Sequence, residues 1–203
     1  MGQSGMFDFS TDYILEDHVV CLKPLKLAHV NDLLGIANEP NIWDYSFIKG
    51  NGLENLRSYI KSAIEARKDK NEYPFLVVDK RTNEVAGCTR FCKISLDLKN
   101  TRLGYTWYGK KFQGTGLNKH CKFLMFDFAF NTMEMYHIGL GAYEENLRSI
   151  AAMKSVGCTV EGRFRKALPS PNTNGRSDAV LLSILRDEWL SSKREMLKGK
   201  LIN

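Results

Sequence analysis

The residues best suited to chemistry lie in a short loop, residues 111–118, with the sequence Lys-Phe-Gln-Gly-Thr-Gly-Leu-Asn. This glycine loop follows a predicted strand and precedes a predicted helix. The first turn of a helix has unpaired amide N–H groups and the positive end of the helix dipole, and both favour a bound phosphate. Gly114 and Gly116 remove side chains that would keep a ligand away from these amides. Three lysines add positive charge around the loop: Lys110, Lys111 and Lys119. The loop is therefore predicted to bind a phosphate group.

Three other interpretations share these ingredients. A Walker loop requires Lys and then Ser or Thr after its last glycine, and neither follows Gly116. A dinucleotide-binding fingerprint requires a third glycine, but Lys119 and His120 stand where it would fall. A tight strand-to-helix turn on a basic surface also uses two glycines. The loop taken alone leaves this last alternative open.

A second polar segment lies at the start of the next predicted helix. Asn146 is placed to cap this helix, and Ser149 would complete a local polar turn with it. The Ser149 hydroxyl is also a candidate proton donor. Gly157 closes the helix. The structural and the chemical interpretation of Ser149 are both left open.

The two segments together resemble the GNAT (GCN5-related N-acetyltransferase) superfamily, in particular its RimJ/RimL-type ribosomal-protein N-terminal acetyltransferase branch. The loop of that family reads [RQ]-x-x-G-x-[GA], and residues 111–116 match it with Lys111 in the first place. Its later motif, N-x-x-S followed by a glycine, is matched by Asn146, Ser149 and Gly157. The resemblance covers nearly the whole chain.

The resemblance implies an N-acetyltransferase that uses acetyl-CoA. The acetyl group would pass to a primary amine, on a protein N-terminus or a small molecule, by direct attack in a ternary complex. The implied catalytic residues are Ser149, the best candidate to donate a proton to the leaving thiolate, and Asn146. The implied cofactor-binding residues are Tyr105, Thr106, Trp107, Lys111, Phe112, Gln113, Gly114, Thr115, Gly116, Leu117, Asn118 and Asn146. Relatives in this branch often pair, so a homodimer is a further expectation.

The general base is not assigned by this resemblance. Arg102 stands where the branch has a glutamate, and a guanidinium cannot accept a proton. Either another group such as Glu39, Asp44 or His29 acts through water, or the amine arrives neutral by mass action, or activity has been lost. Met153 occupies the place of a tyrosine acid found in the wider superfamily. The alternative function is therefore a catalytically impaired CoA-binding protein of the same fold.

Charge and composition exclude several other classes. The net charge is +6, and the stretch from Arg90 to Lys122 holds eight Lys and Arg against Asp97 alone. This charge would suit a nucleic acid, but no recognition module is present and a phosphate-rich cofactor explains it as well. No apolar run approaches the roughly 18–20 residues of a membrane span, and no signal-peptide pattern opens the chain. Scattered histidines and five cysteines without a C-x-x-C pair suggest no metal site. We expect a cytoplasmic protein with neither a nucleic-acid nor a membrane partner.

The elements that position these motifs follow from hydrophobic periodicity. Residues 1–12 are expected to be a disordered or extended N-terminus, and residues 13–203 a single domain. Seven strands are predicted at residues 19–22, 74–79, 84–94, 101–108, 136–142, 159–166 and 179–185. Helices are predicted at residues 27–38, 53–68, 117–131 and 147–156. This order indicates an α+β or α/β fold. The resemblance implies a mixed, mostly antiparallel seven-stranded sheet with helices on both faces and a splayed central strand pair.

Overall fold

One mixed sheet of eight strands organises the chain, and a computed structural model describes residues 7–201 of it. The strands are β1 (Leu15–Glu16), β2 (Val20–Pro24), β3 (Tyr73–Asp79), β4 (Glu84–Ser95), β5 (Asn100–Tyr108), β6 (His137–Tyr143), β7 (Thr159–Pro169) and β8 (Arg176–Leu185). The helices are α1 (Val30–Ala37), α2 (Leu53–Lys68), α3 (Leu117–Asn131), α4 (Leu147–Ser155), α5 (Arg186–Glu188) and α6 (Arg194–Lys198). A π-helical turn, Trp189–Lys193, joins the last two helices. The α+β fold is as expected.

Both faces of the sheet are buried, because its central strands are apolar on both sides. Along β3, Phe75 packs into the cluster that contains the buried residues of α3, and Leu76 packs into the cluster that contains α1 and α2. Successive side chains of a strand point to opposite faces, so α3 lies on one face and the pair α1 and α2 on the other. The buried face of α4, marked by Met153, joins the α3 side. The helices therefore cover both faces, as predicted.

The sheet opens in its middle, between β5 and β6. The strand order is β1-β2-β3-β4-β5-β6-β8-β7, and β5 and β6 form its parallel pair. They pair only through residues 100–102 and 137–139. Beyond these rungs the two strands separate, which leaves an opening between residues 103–108 and residues 140–143. This opening, the β5–β6 gap, is the predicted splay.

The structure adds elements that the periodicity did not indicate. All seven predicted strands are present, but the sheet has eight, because β1 pairs with β2 at its edge. A two-residue strand is too short to show alternation. The predicted helix at residues 27–38 is a 3-10 turn followed by α1. The helical segment after β8 was also not predicted; its Trp189 is fully buried against Phe126 and Phe130 of α3.

The N-terminal segment packs against the domain where it is described. Phe7 and Phe9 are buried in the core on the α3 side, and Phe7 lies 5.9 Å from the Phe128 ring. Residues 1–6 of the segment expected to be disordered or extended lie outside the described residues. The division of the chain at residue 12 stays a prediction.

Candidate active site

The glycine loop joins the end of β5 to the start of α3. A 3-10 turn, Lys110–Phe112, leads into it, and α3 begins at Leu117 directly after Gly116. Gly114 has φ of 76° and Gly116 has φ of 87°, in the left-handed region. Residues with a Cβ adopt this region at a cost of about 1–2 kcal/mol, so the backbone path favours glycine at both places. Phe112 and Leu117 are buried and fix both ends of the loop in the core.

The loop presents backbone amides that the protein itself does not use. The amides of Gln113 and Lys119 donate to the carbonyls of Lys110 and Gly116. Within residues 7–201, the amides of Gly114, Thr115, Gly116 and Asn118 donate no hydrogen bond to the chain, and the Leu117 amide donates only a long one, to Thr115 Oγ1 at 3.5 Å. No side chain caps α3, and a Cβ built on Gly114 would have nothing within 4 Å. The loop is therefore an open anion-binding concavity at a helix N-terminus.

Arg81 holds the glycine loop from the turn between β3 and β4. Its Nη1 donates to the carbonyl oxygen of Thr115 at 3.2 Å, and its Nε donates to Asp79 Oδ1 at 2.9 Å. The hydrogen bonds from Arg81 lower the pKa of Asp79, which therefore stays a carboxylate. Of the predicted lysine rim, Lys111 pairs with Glu84 at 2.5 Å. Arg81 was not predicted to belong to the site, since its contact with residue 115 is long-range.

A polar bridge connects the loop to α4 across the mouth of the β5–β6 gap. Gln113 donates from Nε2 to the Tyr108 carbonyl at 2.8 Å and accepts from Arg148 Nη1 at 2.6 Å. A cavity of about 100 Å³ lies here, lined by Pro40, Asn41, Ile42, Lys110, Gln113 and Arg148. The bridge brings the two motifs of the sequence together at one edge of the sheet.

The β5 residues predicted to bind the cofactor lie along the gap. The register between β4 and β5 shifts here, so that two residues of β5, Tyr105 and Thr106, lie opposite the single residue Thr89 of β4. Tyr105 has φ of 50°. Such a bulge releases backbone groups from the ladder. Thr106 Oγ1 lies 2.8 Å from Thr89 Oγ1. The Trp107 side chain points instead into the α1 and α2 cluster and donates to Tyr59 Oη at 3.2 Å. Only the backbone of Trp107 is thus available to a ligand in the gap.

A buried lysine stands behind the bulge. Lys122 of α3 is only 4% exposed, and its Nζ donates to Thr106 Oγ1 at 3.2 Å. Burial lowers the pKa of Lys122 to about 8, an effect that the nearby thiols of Cys121 and Cys158 partly oppose. Within residues 7–201 it forms no ion pair with a carboxylate. The sequence marks Lys122 only as part of a basic stretch, since its burial depends on the packing of α3 against β5.

Asn146 and Ser149 lie at the start of α4. Asn146 Oδ1 accepts a hydrogen bond from the Ser149 amide at 3.1 Å, which is an N-cap contact. The Ser149 hydroxyl is half-buried and makes no hydrogen bond within the described part of the chain. The cap interpretation of Asn146 therefore holds, while the hydroxyl of Ser149 and the Asn146 amino group stay available to a ligand.

The candidates for the general base differ in their availability. Glu39 accepts a hydrogen bond from the Lys110 amide at 2.7 Å and thereby holds the turn before the glycine loop. His29 accepts from the Lys26 amide through Nδ1, and burial lowers its pKa, so its ring is neutral. Asp44 is exposed. Met153 is buried in the core, so the place considered for a tyrosine acid holds an apolar side chain.

Two classes of site are not found among residues 7–201. That part of the chain contains no group of three or more His, Cys, Asp or Glu side chains arranged to hold a metal ion. It also contains no helix that is both long and apolar enough to span a bilayer.

Comparison with known proteins identifies the family. The model of the GNAT acetyltransferase domain matches residues 20–159. The chain therefore belongs to the GNAT acetyltransferases, and the predicted family is confirmed. It is similar to the probable N-acetyltransferase YjcK of Bacillus subtilis, with 23% identity over 159 residues, 75% of this chain and 87% of YjcK.

Solved structures share the fold. A GCN5-related N-acetyltransferase from Brucella melitensis superposes with a TM-score of 0.84 at 19% identity, covering 95% of this chain and 86% of that one. RimL, a ribosomal L7/L12 alpha-N-protein acetyltransferase, superposes with a TM-score of 0.75 at 19% identity, covering 89% of this chain and 99% of RimL. A RimL structure in complex with coenzyme A superposes with a TM-score of 0.74 at 17% identity, covering 85% of this chain and 98% of that one. At these identities the superpositions establish the fold and no more.

Proposed function

We propose that this chain binds acetyl-CoA and transfers its acetyl group to a primary amine by direct attack in a ternary complex. The observation that carries the proposal is the row of unused amides in the glycine loop, open to solvent at the mouth of the β5–β6 gap. A diphosphate satisfies such amides and the positive end of α3. The gap behind the loop leaves room between the strands for the arm of the cofactor.

The residues present fit this cofactor. The amides of Gly114, Thr115, Gly116 and Asn118 would hold the diphosphate, and the free backbone of the Tyr105–Thr106 bulge would pair with the pantetheine arm. Acetyl-CoA, when bound, supplies an acetyl group activated as a thioester. The free hydroxyl of Ser149 would donate to the departing sulfur, and the Asn146 amino group would orient the arm.

The acceptor must reach the thioester as a neutral amine. Its nitrogen forms the amide bond, the carbon–sulfur bond breaks with its electron pair on sulfur, and the amine proton passes to water or a base. The Asp44 and Glu39 carboxylates are the described candidates for that base, since the acceptor nitrogen of the neutral His29 ring is already used by the Lys26 amide. The acceptor is a protein N-terminus or a small-molecule amine, and we place the reaction in the cytoplasm, in a monomer or a homodimer.

The test uses one methyl group placed in the loop. Gly114→Ala adds a Cβ where the protein has no atom within 4 Å, so it occupies ligand space while costing about 1 kcal/mol of backbone strain. Gly52→Ala is the matched control, because Gly52 also has positive φ, 83°, and no atom within 4 Å of an added Cβ, but lies at the start of α2. By calorimetry, we expect acetyl-CoA to bind the wild type and the control alike, and Gly114→Ala roughly 10-fold or more weakly.

A CoA-binding protein without catalysis is the second candidate. Arg102 in the expected glutamate position and Met153 in the expected tyrosine position favour it. Measuring free thiol release from acetyl-CoA over a panel of amines and peptides separates the two. Binding without thiol release would select this candidate, and absence of binding would reject both.

A further inference from the structure

The side chain of Arg102 extends into the β5–β6 gap. Arg102 forms the last rung of the parallel pair, opposite Gly139. From there its side chain runs forward along β6. A Cβ on Gly139 would lie 3.5 Å from Arg102 Cγ, and a Cβ on Gly141 would lie 3.0 Å from Arg102 Nη2. Two glycines of β6 thus leave the room that the guanidinium occupies.

No carboxylate in the described part of the chain pairs with this guanidinium. Within residues 7–201, Arg102 donates no side-chain hydrogen bond and forms no ion pair. Arg90, on the neighbouring strand, differs: its Nη1 pairs with Glu72 at 2.5 Å, and both residues are buried. A guanidinium carries its charge at every physiological pH. Arg102 therefore leaves a permanent, half-buried positive charge in the opening of the sheet.

Arg102 lies on the face of the sheet opposite α3. Its neighbours in β5, Thr101 and Leu103, are buried, and Leu103 packs on the α3 side, so Arg102 points to the other face. The glycine loop begins α3, which means that the cofactor would enter the gap from the α3 side. An acceptor amine must then approach from the face where Arg102 lies.

Three aromatic side chains, here called the aromatic wall, lie on the same face of the sheet as the guanidinium. Tyr143 follows Gly141 by two residues and so points to the same side. Its ring lies 5.8 Å from the Tyr45 ring and 5.6 Å from the Phe47 ring. Phe47 is 63% exposed, so the wall has an apolar surface that the rest of the described chain does not cover. A cation and exposed rings on one face suit a molecule with an anionic end and an apolar body.

Building on acetyl transfer as proposed above, we propose that the acceptor is an amine that also carries a carboxylate, such as an α-amino acid, and that Arg102 binds this carboxylate. The planar fork of a guanidinium matches the two oxygens of a carboxylate, which gives this group its direction as well as its charge. The aromatic wall would take the side chain of the acceptor. Arg102 is then a specificity-determining residue, in the place where a base was expected.

The test is a binding comparison that needs no turnover. The protein is saturated with CoA, and calorimetry measures the affinity of the twenty L-amino acids and of their carboxamides, which keep the amine and lose the charge. We expect an acid to bind roughly 10- to 100-fold more tightly than its amide in the wild type. Arg102→Gln should remove this preference and Arg102→Lys should keep part of it. Arg57→Gln, which removes an exposed arginine of α2, should leave it unchanged.

A second arm identifies the source of the carboxylate. Tetrapeptide amides that begin with Asp or with Ala offer an N-terminal amine with and without an acidic side chain. A preference for the Asp peptide that disappears in Arg102→Gln supports the same site with a protein acceptor. Equal binding of acids and amides, a preference that survives Arg102→Gln, or no binding of any carboxylate compound would overturn the proposal. If CoA itself does not bind, the proposed acetyl transfer fails first.

Discussion

Replacing Lys122 with methionine should stabilise the protein. Lys122 is 4% exposed, and its described polar contact is the hydrogen bond to Thr106 Oγ1. Methionine fills a similar volume without a charge that must be desolvated. Thr106 keeps its hydrogen bond with Thr89 in the variant. The variant therefore removes a buried charge at the cost of one hydrogen bond.

The magnitude follows from the pKa of Lys122. Burial lowers that pKa from 10.5 to about 8, so the unfolded chain holds the proton more tightly than the folded one. At about 1.4 kcal/mol per pH unit, the free energy of unfolding at pH 7 is reduced by about 3 kcal/mol. Losing the hydrogen bond to Thr106 costs about 1 kcal/mol. Lys122→Met should therefore raise the free energy of unfolding at pH 7 by about 2 kcal/mol. This destabilisation of the wild type by the Lys122 charge is complete below pH 8 and fades as the pH rises toward 10.5.

Urea unfolding at pH 7 and pH 9.5 measures both the sign and the pH dependence. Comparing the variant with the wild type cancels the groups that titrate in both. We expect the advantage of Lys122→Met to shrink by about 2 kcal/mol between the two pH values. Lys154→Met, which alters an exposed lysine of α4, should change stability by no more than about 0.5 kcal/mol at either pH. A variant less stable than the wild type at pH 7, or an advantage that does not depend on pH, would refute this reasoning.

Three further predictions concern the support of the site and the core. Arg81→Ala should weaken acetyl-CoA binding several-fold in calorimetry, because it frees the Thr115 carbonyl; unchanged affinity would mean that the loop holds its shape alone. Trp189→Ala should lower the free energy of unfolding in urea by about 3–5 kcal/mol, since the ring is fully buried against α3, and a cost under 1 kcal/mol would contradict that packing. Burial raises the pKa of both Cys88 and Cys121 to about 12, so a disulfide reagent at pH 8 should modify them only after unfolding; fast reaction in the native protein would disprove their burial.

The local parts of the site could be predicted from the sequence. The glycine loop carries its signal in adjacent residues, because two glycines between a strand and a helix determine both the backbone path and the free amides. The Asn146 cap is likewise a local pattern, four residues long. The seven longer strands followed from apolar and β-branched runs bounded by turn residues, and the paired motifs then indicated the family.

The parts that depend on distant contacts could not be predicted in this way. Arg81 reaches the loop from another turn, and Arg148 reaches it from α4. The burial of Lys122 follows from helix packing, and nothing in its sequence neighbours distinguishes it from the exposed lysines nearby. The position of Arg102 in the gap depends on two glycines in a strand that lies far along the chain. The gap itself was expected only from the family resemblance.

The central claim is that the amides at the start of α3 bind the diphosphate of acetyl-CoA. Titration of ¹⁵N-labelled protein with acetyl-CoA tests it directly by following the amide signals of Gly114, Thr115, Gly116 and Asn118. We predict that these signals shift together, along one binding curve, and that Gly157 at the far end of α4 moves little. Saturable binding that leaves the four loop amides in place would contradict the account.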